Sequence, residues 1–335
     1  MPDVAIVGAG VMGLATAHAL ARAGHDVAVY EQFEPGHTRG ASHGRSRIFR
    51  LAYAQTEWVQ LAKEALTGWR DLEAASGERV LQLDGLVEIV DDLADSSAAA
   101  LDACGVRWQR LEREAAQQRF PVQLPSGTFA VFQPEAGIVR ADVALEAFGR
   151  GIDVRYNTRV ASLDDLDARC VVVTAGAWIN DLVSPPLPVR VTRETVCYFH
   201  LAGTRPMPAL VSLGARRPRD THPDGIVFYA LADPLYGVKA AIHHGGAQAD
   251  PNSTGAPDAT VVEQISRWAR EHIALADPQP VEAQTCLYTT TADERFILER
   301  RGRVVLVSAC SGHGFKFAPA IGARAAALAE QVVQE

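Results

Sequence analysis

Gly8, Gly10 and Gly13 follow the apolar run Val4–Val7 with the spacing Gly-x-Gly-x-x-Gly. That spacing suits the pyrophosphate of a dinucleotide. Gly8 permits a tight turn, Gly10 lets the backbone approach the phosphates, and Gly13 lets helix and strand pack closely. The helix that begins there offers free N–H groups and partial positive charge. Glu31 lies eighteen residues beyond Gly13, where a carboxylate accepts hydrogen bonds from a ribose hydroxyl and repels the extra phosphate of NADP. This motif alone does not separate a flavin from a nicotinamide. The stretch Ser308-Ala-Cys-Ser-Gly-His-Gly-Phe-Lys316 bears on that choice. Gly312 and Gly314 give a planar ring room to approach the backbone, and Lys316 adds positive charge. An isoalloxazine needs that charge at its N1–C2=O edge, so FAD is the expected cofactor.

Other residues carry chemistry at suggestive spacings. In Val238–His243, Lys239 and His243 share one side of an alternating strand, roughly 13 Å apart along it. The same alternation sends His244 to the opposite face. Lys239 is either a site cation or an ordinary solvated lysine. Arg47 and Arg50 are three apart, so one helical turn places them on one side. With Arg39 and Arg45 nearby, a solvated basic loop is the competing reading. Cys286 is either a reactive thiol, which needs an electropositive setting, or an inert buried one. Cys310 and His313 have Cys-x-x-His spacing without a second ligand pair nearby, so no metal is expected.

These residues need elements to position them. Val4–Val7, a glycine turn, a helix ending near Gly24 and a strand over Asp26–Glu31 make a strand–turn–helix–strand unit. Trp58, Leu61, Ala62, Ala65, Leu66, Trp69 and Leu72 form a helical apolar stripe read as core. Strands are predicted over Val80–Val90, Ile152–Val160, Cys170–Thr174 and Val304–Val307, with strand-rich sequence from Val189 to about Leu287. A last helix starts at Pro319, a favourable first position. The expected class is α/β (α+β in its two-domain build): a Rossmann-like FAD-binding domain with an inserted substrate domain on a mostly antiparallel sheet. The expected division gives 1–80, 131–184 and 285–335 to the FAD-binding domain, and 81–130 and 185–284 to the substrate domain.

With these motifs in view, the chain resembles the monomeric sarcosine oxidase family among the D-amino-acid-oxidase-like flavoproteins. Its covalent-flavin branch includes N-methyltryptophan and pipecolate oxidases. The resemblance rests on Gly8–Gly13 with Glu31, Ser42-His-Gly-Arg-Ser-Arg-Ile-Phe-Arg50, Pro134-Glu-Ala-Gly-Ile-Val, Thr174-Ala-Gly-Ala-Trp178, Lys239-Ala-Ala-Ile-His243, Cys286-Leu-Tyr-Thr and Gly312-His-Gly-Phe-Lys316. It implies cofactor contacts from Gly8, Gly10, Val11, Met12, Gly13, Glu31, Ser42, His43, Arg47, Ala175, Gly176, Trp178, Cys286, Tyr288, Gly312, His313, Gly314, Phe315 and Lys316. It further implies an 8α-S-cysteinyl bond from Cys286 to FAD. Arg50 and Lys316 would hold a substrate carboxylate, Lys239 would promote reaction with O₂, and His243 and Tyr229 would contact substrate. Gln55 stands where the sarcosine enzyme carries an acid, which changes the expected pocket charge. A hairpin between Val160 and Cys170 is also missing.

The implied function is oxidation of a small carboxylate-bearing amine, secondary, N-methyl or cyclic, to an imine, with O₂ reduced to H₂O₂. Two other readings remain at this level: a flavin dehydrogenase or biosynthetic imine-forming enzyme, and a non-catalytic flavin-binding subunit. The composition is that of an ordinary soluble globular protein without a disorder signature. The chain has 335 residues, 48% of them hydrophobic, and a net charge of −8. An acidic chain without a basic patch argues against nucleic acid, and no apolar run is long enough to span a bilayer. Five scattered cysteines and no signal segment suit a reducing cytoplasm. The resemblance favours a monomer.

Overall fold

The computed structural model describes residues 2–213 and 227–335. Residues 214–226 of the expected substrate segment lie outside the described residues. Among the described residues, no helix is long and apolar enough to cross a membrane.

The first sheet has six strands in the order Ile297–Arg301, Val304–Ser308, Cys170–Val173, Val4–Val7, Val27–Tyr30 and Asp153–Arg155. All its pairings are parallel except the edge hairpin of Ile297–Arg301 with Val304–Ser308. Its central strands are buried on both faces, which explains their unbroken runs of valine and isoleucine. Val4, Ile6, Val172 and Val305 pack toward helices Val11–Arg22 and Ala318–Gln334. Ala5, Val7, Val171 and Val173 face the other way, onto Ile179 and Leu187. Gly322 lets the two helices meet, because a Cβ there would lie 2.7 Å from the backbone of Ala15.

The second sheet has nine strands among the described residues. It is antiparallel apart from the pairing of Ala209–Leu213 with Leu86–Val90. Near one edge lies Val189–His200, paired on one side with Gly237–His243 and on the other with Glu282–Thr291. A third, small sheet joins Ser46–Phe49, Gly137–Arg140 and Leu81–Gln82.

Several local expectations need correction. The boundary at 130/131 falls inside Phe129–Gln133, and that at 284/285 inside Glu282–Thr291; both are continuous strands of the large sheet. Val80–Val90 is not one strand. It divides into Leu81–Gln82 and Leu86–Val90 around Gly85, whose φ of 96° turns the chain from one sheet to another. Ile152–Val160 contributes only Asp153–Arg155. Arg47 and Arg50 do not sit on a helical turn. Ser46–Phe49 is a strand held by Gly137–Arg140, and Arg50 follows its last paired residue.

Candidate functional site

A cavity of about 1080 Å³ lies between the carboxyl ends of the parallel strands and one face of the large sheet. Ligands of open α/β sheets bind at this end of the strands. Antiparallel register decides which residues the large sheet presents. Tyr229, Ala241, Val196 and Gln284 form one row across it. Lys239 and His243 are two residues either side of Ala241, and Cys286 and Tyr288 follow Gln284 by two and four. All therefore share one face. Tyr229, Lys239, His243, Cys286 and Tyr288 line the cavity. The expected common orientation of Lys239 and His243 is what the structure has.

The opposite wall comes from the parallel sheet and its loops. Gly8, Gly10, Val11, Met12, Glu31, Ser42, His43, Arg47 and Arg50 line it, with Ala175, Gly176 and Trp178. Gly312, His313, Gly314, Phe315 and Lys316 close it. Gly13 alone among the expected cofactor residues does not line the cavity. Its role is packing: a Cβ there would lie 1.9 Å from the carbonyl oxygen of Gly8 and 2.7 Å from Thr174 Oγ1. Glu31 is buried, and its carboxylate accepts hydrogen bonds from Ala9 N at 2.8 Å and Phe33 N at 3.1 Å. Ser42 Oγ accepts from Val11 N at 3.0 Å.

The charged groups are held out of water. Burial, reinforced by the nearby Arg47 guanidinium, lowers the Lys239 ammonium to about 7. Burial also lowers His43, next to Arg47 and Lys239, to about 3. It carries His243 well below the usual imidazole range, with His244, His313, Arg50 and Lys316 adding to the effect. Lys316 is 2% exposed and is lowered well below the usual lysine range by burial and then by Arg50. Its Nζ donates to His313 O at 2.7 Å. Arg50 and Lys316 flank the same ring, at 4.6 and 5.7 Å from the centroid of Tyr53. Tyr229 and Tyr288 hydrogen bond to each other, and burial raises both phenols. Burial pushes the Cys286 thiol up, while Arg47 and Lys239 pull it back down. The positive setting expected around this cysteine is present but does not outweigh desolvation.

Residues 3–328 match the family described as FAD dependent oxidoreductase. The chain belongs to that family. Human peroxisomal sarcosine oxidase is 30% identical over 358 residues, 96% of this chain and 90% of that protein. N-methyl-L-tryptophan oxidase of Yersinia pestis (strain Pestoides F) is 29% identical, covering 98% and 95%. NikD, an amino acid oxidase essential for nikkomycin biosynthesis, superposes with a TM-score of 0.85 at 27% identity, over 98% of this chain and 93% of that one. L-proline dehydrogenase from P. horikoshii, at 17% identity and a TM-score of 0.80, shares the fold.

The residues present fit FAD. The cavity is at the large end of the usual range for ligand sites, as a dinucleotide requires. The helix Val11–Arg22 has no acidic side chain in its first turn to compete with a pyrophosphate. Among the described residues, buried His43 Nε2 has no hydrogen-bond partner, and His43 lines the cavity, so this polar atom is left for a ligand.

Three features escape the sequence motifs. Glu194 is buried at 1% exposure on the Lys239 face. It accepts from Thr192 Oγ1 and from Gly246 N. Arg45 pairs with fully buried Asp233 at 3.2 Å and lies over Tyr198 and Tyr236. Gln55, expected to alter pocket charge, is exposed at the start of the helix Thr56–Ser76 and does not line the cavity. An acid that does approach His243 is Glu294, 4.0 Å from its Nε2. His244, expected on the far face, has φ 56° and turns its ring back to 4.1 Å from that of His243.

Proposed function

We propose that this FAD dependent oxidoreductase is an amine oxidase for small carboxylate-bearing amines, preferentially secondary, N-methyl or cyclic amino acids, with O₂ as electron acceptor. One observation carries the reading: partly buried Arg50 and buried Lys316, 4.6 and 5.7 Å from the Tyr53 ring centroid, line the same cavity as His243 and the Tyr229–Tyr288 pair. Similarity to a sarcosine oxidase, an N-methyl-L-tryptophan oxidase and NikD supports it.

Gly8–Gly13 and Glu31 would hold the pyrophosphate and ribose, and Arg47, Ser42, His43 and Gly312–Lys316 the ring end. FAD bound there supplies a two-electron acceptor for the C–H bond beside an amine nitrogen. The remaining work belongs to side chains. Arg50 offers a planar fork to a carboxylate, and the charge it meets restores the proton on Lys316. Together they orient the substrate carbon and exclude cationic groups. His243, kept neutral by burial and neighbouring cations, accepts or donates one hydrogen bond without adding charge. A neutral amine is the form that can give up hydride, and this pocket repels its protonated form. Lys239, titrating near 7, presents a proton or a positive charge to O₂ from the large sheet.

Cys286 is the proposed attachment point for the 8α carbon of FAD. Its place on the cavity face beside Lys239 and Arg47 supports this assignment. The decisive test is acid denaturation of purified protein. Yellow colour should pellet with the polypeptide and should be released from Cys286→Ser. Colour in the wild-type supernatant refutes the linkage. A peroxide-coupled panel of sarcosine, proline, pipecolate and N-methyl amino acids tests substrate class. No peroxide from any of them, with the amine consumed only when an artificial acceptor is supplied, would make the enzyme a dehydrogenase.

A further inference from the structure

We propose that His243, His244 and Glu294 form a binding site for a divalent transition-metal cation of the zinc class, and that its occupation inhibits turnover. Two neighbouring residues of a strand normally point to opposite faces. Here the strand ends at His243, and His244 adopts φ 56°. The turn brings both imidazoles together with ring centroids 4.1 Å apart. Glu294 adopts φ 59°, in the loop after Glu282–Thr291, and directs its carboxylate at both rings. His244 Nε2 lies 3.3 Å from Glu294 Oε1, and His243 Nε2 lies 4.0 Å from Oε2. One ligand atom from each residue can be chosen with all three within 4.8 Å of one another.

Tetrahedral zinc with bonds of about 2.05 Å holds neighbouring donors about 3.3 Å apart. The Glu294–His244 contact already has that value, and with one atom per residue all within 4.8 Å the remaining adjustments are at most roughly 1.5 Å. Two imidazoles and a carboxylate are a borderline donor set that suits zinc or copper better than magnesium or calcium. His243 and Glu294 are partly exposed, while the His244 side chain is 6% exposed with its Nε2 buried, so an ion enters past Glu294 and keeps a fourth position for water or an incoming carboxylate. The surrounding charge is mixed. Arg50 and Lys316 act against a cation at His243, while buried Glu194 acts in its favour at His244. Reversible, regulatory affinity is the expected result.

His243 also lines the cavity. Its recruitment by a metal removes a substrate contact, so inhibition rests on the proposed oxidase reading whereas binding does not. The test is calorimetric titration of purified flavin-loaded protein with ZnCl₂, followed by turnover at several substrate concentrations. One equivalent should bind. His244→Gln and Glu294→Gln should each weaken it at least about tenfold. Cys310→Ser should leave it unchanged. Zinc should raise the apparent KM. Absence of a binding heat, wild-type affinity in either variant, or loss on Cys310→Ser overturns the site. Stoichiometric binding with unchanged KM and kcat overturns the inhibition. If no amine is turned over, the titration still decides the site, and the failure falls on the oxidase reading alone.

Discussion

Glu194 lies directly across the antiparallel ladder from Cys286, so a buried carboxylate and a partly buried thiol share one sheet face. Its negative charge is one of the influences that raise the Cys286 thiol. Glu194→Gln removes that charge and keeps one acceptor oxygen, which can serve Gly246 N while the amide NH₂ donates to Thr192 Oγ1. The thiol should then ionise at lower pH. In protein freed of cofactor, or carrying it non-covalently, iodoacetamide should modify Cys286 about threefold faster at pH 8. An unchanged rate would show that the carboxylate does not act on this sulfur.

Lys239 separates the two halves of the proposed reaction. It carries its proton below about 7 and loses it above. The reaction of substrate-reduced enzyme with O₂ should therefore slow as pH rises through that value. Lys239→Met should slow it about a hundredfold and abolish the pH dependence. Anaerobic reduction by substrate should change little. Stopped-flow measurement of each half separates the outcomes.

Arg50 and Lys316 flank Tyr53 from two directions. Removing one charged partner of a carboxylate costs about 1.5–3 kcal/mol. Arg50→Met should raise the Kd of small carboxylate inhibitors roughly 10- to 100-fold. Wild-type affinity should also weaken with rising pH, because free Lys316 is depressed and the bound carboxylate requires its proton. Spectral titration with acetate derivatives at several pH values measures both effects.

Gly13→Ala tests packing without touching the cavity. The added methyl would lie 1.9 Å from the carbonyl oxygen of Gly8. Helix Val11–Arg22 must move away from the Val4–Val7 strand, at a cost of about 1–3 kcal/mol. Thermal unfolding should occur at lower temperature, and the protein should retain less flavin after gel filtration.

The glycine motifs were legible because each spacing answers a local steric demand, and Gly8 and Gly13 meet those demands here. Lys239 and His243 were legible because alternation along a strand is local. What failed depends on partners distant in sequence. Ser46–Phe49 becomes a strand because Gly137–Arg140 pairs with it, which the spacing of Arg47 and Arg50 does not reveal. His244 departs from alternation because its strand ends one residue earlier. Glu294 approaches His243 from fifty-one residues away, and Glu194 is a lone acid within a strand that carries no motif.

Glu282–Thr291 pairs along its whole length with Val189–His200 and holds Cys286 near its middle. A deletion or insertion of a single residue upstream within that strand would invert its two faces. Cys286 and Tyr288 would then leave the cavity for the far side of the sheet. A two-residue change would return them to the correct side, displaced along the strand by roughly 7 Å. Length changes in this part of the chain should therefore be tolerated in the flanking turns and selected against between Glu282 and Cys286, whatever the substrate.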